Sequence, residues 1–177
     1  MTLPVSTERL LLRSLRATDL AEFLAYRTDP EVARFQSWDD VSPSAAADFL
    51  RAHVRPSLGT RGTWQQIAIT LAGDDRLIGD IGFFVREDGR SVEVGFTVAA
   101  QYQGLGLARE ALTGLIGVLF TLVTLDRVDA VVDARNVRAI RLLERLGFRV
   151  NASAEVLFKG AVCIEHTLTL PRTTWAA

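Results

Sequence analysis

The chain has 177 residues, 49% of them hydrophobic and 23% charged, enough for one globular domain over 1–177 and unlike a disordered or fibrous composition. Twenty basic against twenty-one acidic side chains leave a formal net charge of −1, so no global field draws it onto nucleic acid or anionic lipid. A single cysteine, Cys163, excludes an intrachain disulfide and a multi-cysteine zinc site, and no histidine pair at helical spacing or carboxylate cluster suggests another metal.

The opening residues, MTLPVSTERLLLR, put charge where a secretory leader carries its apolar core, and the longest uncharged stretch, 111–125, is shorter than the ~18–20 apolar residues that span a bilayer. A cytoplasmic protein without a membrane segment is the expectation. Residues 9–15 have the apolar density and length of a strand, and Thr18-Asp19 caps a helix that ends before Asp29-Pro30. The piece from 31 to 40 is aromatic and irregular, and Ser42-Pro43-Ser44 starts a second helix toward Val54. Phe35 and Trp38 in that loop are candidates for lining a substrate pocket, with inward packing as the alternative. Runs 64–71, 77–85 and 91–98 read as three strands of an antiparallel meander, separated by turns at Ala72-Gly73-Asp74-Asp75 and Glu87-Asp88-Gly89-Arg90. A helix follows to about Thr124, then a strand at 128–134, a helix at 136–145 and a break at Gly147; a helix between two strands is a crossover unit. The tail offers two more strands, 148–154 and 156–170. Cys163 reads as a small apolar strand residue, and His53 and His166 as residues of a helix end and a strand face.

Between the meander and the long helix stands QYQGLGLAREA, residues 101–111, a turn that exposes backbone N–H groups to an anion. A nucleotide-triphosphate loop needs Lys-Ser or Lys-Thr after its second glycine, and none is present. The dinucleotide fingerprint wants Gly or Ala at the sixth position from Gly104, which is Arg109, and it follows a parallel rather than an antiparallel strand unit. The third pattern, Gln-x-x-Gly-x-Ala, is met by Gln103, Gly106 and Ala108, and the same letters fit one register earlier from Gln101 through Gly104 to Gly106. This turn resembles the motif of the general N-acetyltransferase (GNAT) superfamily. ThrGluArgLeuLeuLeuArg at 7–13, AspProGluValAla at 29–33, GluValGly at 93–95, GlyLeuAlaArgGluAla at 106–111 and AsnValArgAlaIleArgLeuLeuGluArgLeuGlyPhe at 136–148 are similar, in order, to its RimJ/RimL branch of ribosomal-protein-alanine acetyltransferases.

The resemblance implies a mixed α+β fold, a central mostly antiparallel sheet of about seven strands splayed at the acetyl-CoA site and flanked by about four helices. It implies acetyl-CoA as cosubstrate, a primary amine as acceptor (protein N-terminal alanine, or a free amino acid, polyamine or aminoglycoside), and a homodimer as one option; separately, apolar strands near the C-terminus could pair between chains. The backbone of Gln103, Gly104, Leu105, Gly106, Leu107, Ala108 and Arg109 would hold the pyrophosphate, with the Arg109 side chain adding a contact. Phe96, Thr97 and Val98 would pair with the pantetheine arm, and the Val98 N–H would face the thioester oxygen. Asn136 matches the asparagine that contacts that arm, besides being a good helix cap. Arg138, Arg141 and Arg145 recur at helical spacing, and Arg145 best matches the family's basic residue toward the 3′-phosphate of CoA. Ala139 and Leu143 depart from the serine and tyrosine that family members show there, so the thiolate lacks the usual proton donor; Tyr26 and Tyr102 are the chain's only tyrosines. For the base, Glu93 is the candidate, because strand alternation puts it with Gly95 and Thr97 on the face opposite Val92, Val94, Phe96 and Val98, where partial burial raises basicity. Asp39, Asp40 and Asp48 near the aromatic loop could attract a cationic amine. Two other readings stay open: a non-catalytic acyl-CoA-binding module and a dinucleotide-dependent oxidoreductase.

Overall fold

A computed structural model describes residues 3–38, 41–57, 59–122 and 124–175. Two short strands, β1 (Val5–Ser6) and β2 (Leu10–Arg13), lead into three helices, α1 (Leu20–Arg27), α2 (Pro30–Ala33) and α3 (Pro43–Ala52). The starts of the last two follow from local chemistry: Asp29 accepts the Glu31 N–H ahead of Pro30, and Ser42 accepts the Ala45 N–H ahead of Pro43. The meander comprises β3 (Trp64–Leu71), β4 (Leu77–Val85) and β5 (Ser91–Val98), with the bounds the sequence implies. Helix α4 (Leu107–Leu122), strand β6 (Arg127–Asp133) and helix α5 (Val137–Arg145) form the crossover, and β7 (Arg149–Phe158) with β8 (Ala161–Pro171) closes the chain.

All eight strands join one sheet in the order β1-β2-β3-β4-β5-β6-β8-β7. Each neighbouring pair is antiparallel except β5–β6, which the α4 crossover makes parallel. Leu112, Leu115, Ile116 and Leu119 of α4 and Leu143 of α5 pack on one sheet face with Ile81 and Val94. Phe23, Tyr26 and Leu50 from α1 and α3 cover the other face at Ala68 and Leu77.

Two details differ from the sequence reading. Among the described residues the strands number eight and the α-helices five, one more of each than the sequence reading, because β1 and α2 span two and four residues and are too short to show a period. The C-terminal hairpin turns at Lys159-Gly160, not at Glu155: Phe158 pairs with Ala161, and both loop residues have positive φ (49° and 77°), as a tight two-residue hairpin loop demands. β7 ends the sheet with most of its residues exposed.

Candidate active site

The sheet opens at its parallel pair. β5 and β6 pair only at Ser91–Glu93 with Arg127–Asp129, although both strands continue. β4 keeps its hold on β5 out to Val98, and β8 its hold on β6 out to Asp133, so beyond Glu93 the two strands part and leave a wedge. The hydrogen-bond phase decides which groups face it. The Arg86 N–H donates to the Ser91 carbonyl and the Ala99 N–H to the Ile78 carbonyl, so odd-numbered residues of β5 bond to β4. Phe96 and Val98 therefore direct their N–H and C=O into the wedge, and Val94 its C=O, the Val94 N–H closing the last bridge to the Asp129 carbonyl. Thr97 does not; its backbone pairs with Asp80, which turns it out of the expected trio. Two carbonyls are already met by side chains, Val98 by Gln103 Nε2 at 2.9 Å and Phe96 by Gln36 Nε2 at 3.4 Å.

At the wedge mouth the chain makes a short 3-10 turn, Ala100–Tyr102, and reverses through Gly104 and Gly106, whose φ angles of 77° and 79° disfavour any side chain. The first intrahelical bond runs from the Glu110 N–H to the Gly106 carbonyl, so the N–H groups of Gly106, Leu107, Ala108 and Arg109 precede it. Gln103 to Gly106 are exposed, Leu107 is buried beneath the turn, Ala108 is half-buried and Arg109 exposed. Asn136, just past β6, accepts the Ala139 N–H at 3.2 Å through its amide oxygen, which leaves its NH2 as a donor. Arg145 is not brought to this group: it closes α5 about 13 Å along the helix from Asn136, beside Arg141, Glu144 and Arg149 in a shallow pocket. Arg138, in the first turn of α5, is exposed at the near end.

Glu93 stands at the vertex, the last β5 residue paired on both sides, between Phe84 and Asp129. Burial lifts its carboxyl above the ordinary range; Arg86, 2.9 Å from Oε2, opposes that, and Asp129 and Glu165 add to it. Asp129 is buried and accepts Thr169 Oγ1 at 2.7 Å and Arg127 Nε at 2.9 Å. On the Glu93 face, Gly95 lies opposite Gly82, and the next partner across is Gln66. Among the described residues nothing stands over Gly95, whereas a Cβ on Gly82 would meet Gln66 Oε1 at 2.9 Å and the Trp64 ring at 3.3 Å, so the open floor lies at Gly95 and ends against Gln66 and Trp64, the latter 46% exposed.

A buried polar knot supports that floor. Asp80 accepts the Tyr26 hydroxyl, Gln66 Nε2 and Arg27 Nη2, the last at 3.0 Å. Burial, and then the Asp80 charge, push the Tyr26 phenol well above its ordinary pKa, so it stays a donor to Asp80. The Arg27 guanidinium lies 3.6 Å from the Trp38 ring centre and 4.6 Å from that of Phe23. Asp80→Asn leaves this cation buried without its counter-charge and is expected to cost about 3–5 kcal/mol. Urea unfolding measures it, and a loss below about 1 kcal/mol would contradict the pairing.

Trp38 thus packs on Arg27, also donating Nε1 to the Arg27 carbonyl at 3.1 Å, and Phe35 is half-buried beside Arg34. The loop between them is pinned from the hairpin tip, where Lys159 Nζ donates to the carbonyls of Ala33 at 3.2 Å and Trp38 at 2.8 Å. Asp39 and Asp40 lie outside the described residues, and Asp48 is paired with Arg51 on α3. Cys163 is buried on β8, its thiol pKa raised by burial and by Asp133. His53 at the end of α3 bonds the Phe49 carbonyl of that helix, and His166 on β8 bonds Ser153 on the paired strand β7. No described helix is long and apolar enough to cross a membrane.

The family model of the acetyltransferase (GNAT) domain matches residues 9–149. The chain is 33% identical over 148 residues to p20 of Bacillus licheniformis, named an uncharacterised N-acetyltransferase, which covers 81% of this chain and 80% of that one. In fold it resembles a ribosomal-protein-S5-alanine acetyltransferase from Vibrio fischeri, with TM-score 0.81 and 19% identity over 99% of this chain and 100% of that one. It also resembles a spermidine N-acetyltransferase from Vibrio cholerae solved with CoA and spermine, with TM-score 0.80 and 19% identity over 95% and 98%. By its domain match and its Bacillus relative, this chain belongs to the GNAT family of acetyltransferases.

Proposed function

We propose that this chain moves an acetyl group from acetyl-CoA directly to a primary amine, with Glu93 as the base. One observation carries the donor half: the wedge wall of Val94, Phe96 and Val98 runs into a turn whose N–H groups precede the first bond of α4. An extended amide-bearing arm pairs with the first, a pyrophosphate seats on the second, and the residues present fit both. When bound, acetyl-CoA supplies the activated acyl group and a thiolate leaving group. The turn from Gln103 to Arg109 anchors the charged end, and the Asn136 amide reaches the arm. Val98 lies nearest the turn and Val94 about 13 Å further along the strand. A donor anchored at the turn brings its reacting end toward the vertex, and the Val94 N–H is taken by the Asp129 carbonyl in the last bridge of the parallel pair, so we assign the oxyanion-stabilising N–H to Phe96 rather than Val98.

Glu93, at the vertex, directs its carboxylate to the face that Gly95 leaves open, by which the amine enters. It takes the ammonium proton directly or through one water, and Arg86 holds its orientation. Leu143, buried where other family branches carry tyrosine, has no proton to give, so water or another group of the site protonates the thiolate.

The RimJ/RimL likeness makes a protein N-terminal alanine the first acceptor to test, and the fold likeness to a spermidine acetyltransferase makes a polyamine the second. A panel of alanine-initiated peptides, spermidine, amino acids and an aminoglycoside, read by thiol release from acetyl-CoA, tests this. Release with one class identifies the acceptor. Tight CoA binding with no release from any primary amine would contradict the transferase reading in favour of an acyl-CoA-binding module.

A further inference from the structure

On its way from β1 to β2 the chain passes the first turn of α4, about a hundred residues away in sequence. Thr7 Oγ1 and the Arg9 backbone N–H both donate to Glu110 Oε1, at 2.6 Å and 2.7 Å, and Arg9 Nε donates to Oε2 at 2.7 Å. The same guanidinium continues to the glycine turn: Nη1 donates to the Leu105 carbonyl at 3.0 Å, and Nη2 lies 3.6 Å from where a Cβ on Gly106 would stand. Leu105 stands between two glycines at positive φ, which restrict its peptide little, and the bond from Arg9 fixes its carbonyl away from the N–H groups that would face a bound anion.

Glu110 presents a second problem for an anion. Burial alone would raise its pKa, but the bonds from Thr7 and Arg9 outweigh it and hold the carboxyl below its ordinary range, so it is a fixed negative charge one residue beyond the N–H groups of the turn. Arg9 lies against it and cancels that charge locally. We infer that Arg9, anchored by Glu110, is a positioning residue of the acetyl-CoA site: it fixes the Leu105 peptide and neutralises Glu110 beneath the pyrophosphate. This rests on the acetyl-CoA reading above. It makes the N-terminal strand pair part of the donor site.

The test is CoA titration calorimetry on the wild type, Arg9→Ala, Arg9→Lys and the double variant Arg9→Ala/Glu110→Gln, with steady-state kinetics alongside. Arg9→Ala is expected to weaken CoA about tenfold and to raise the acetyl-CoA KM to match, the loss of one charge-assisted bond. Its kcat and its KM for the amine stay within about twofold of wild type. Arg9→Lys falls between, since one ammonium cannot bridge Glu110 and Leu105 as the fork does, and it carries the comparison if the alanine variant does not fold. The double variant regains part of the lost affinity, because the uncompensated carboxylate has gone with its partner. Wild-type affinity in Arg9→Ala, a double variant as weak as the single, or a fall in kcat and amine KM in step with CoA binding would each overturn the inference. A wild-type chain that takes up no CoA overturns the acetyl-CoA reading itself, a different result.

Discussion

Replacing Gly104 by valine is expected to abolish CoA binding while the chain still folds. A Cβ there meets nothing within 4 Å, so no neighbour is displaced. The backbone, however, sits at φ 77°, which costs a β-branched residue about 1–2 kcal/mol, or a few degrees of midpoint in a chain of this size. The open space beside Gly104 is where the proposed pyrophosphate rests, so the valine removes the ligand's room and tilts the N–H groups that would receive it. At least a hundredfold loss of affinity, about 2.7 kcal/mol, is the expected result by calorimetry. Near-wild-type affinity in a folded Gly104→Val chain would place the anion elsewhere.

Glu93→Gln is expected to lower kcat by about 10²-fold or more, the usual scale for general-base loss, with CoA affinity unchanged. The amide keeps the size of the side chain and its place beside Arg86 but cannot accept a proton. The pH dependence adds a sign. A base works ionised, so kcat/KM rises with pH as Glu93 deprotonates, and burial puts that rise above the ~4.3 of a free glutamate. The limb shifts higher still in Arg86→Ala, because Arg86 favours the ionised form, and it disappears in Glu93→Gln. Unchanged turnover in Glu93→Gln would remove Glu93 as the base and leave the donor site untouched.

The parts that local chemistry dictates were legible in the sequence. Apolar, β-branched runs bounded by glycine-aspartate turns gave β3, β4 and β5 their bounds, and Ser42 and Asn136 mark helix starts by the N–H groups they cap. β7 was less visible because Asn151, Ser153 and Glu155 interrupt its apolar residues, and because its turn uses a lysine in a left-handed conformation. Within the site, side-chain alternation told which face Glu93 occupies but not which edge each backbone group serves. That depends on the β4 register, and it turns Thr97 away from the wedge. The contacts of Gln36 with Phe96, and of Arg9 with Leu105 and Glu110, join segments 60 to 101 residues apart, which no local pattern encodes. Trp38 read either as a pocket wall or as an inward-packing residue, and the buried cation it packs on becomes visible only once α1 is in place.

Thermal unfolding with acetyl-CoA, CoA, NAD and ATP in parallel tests the central claim most directly. A ligand at about 100 times its Kd adds roughly 2.7 kcal/mol, which for this length raises the midpoint by roughly 5–10 °C. A shift with acetyl-CoA and CoA, and none with NAD or ATP, is the predicted result. No shift with either thioester or thiol would mean that the wedge and its glycine turn do not hold CoA, and the proposed function would fall with them.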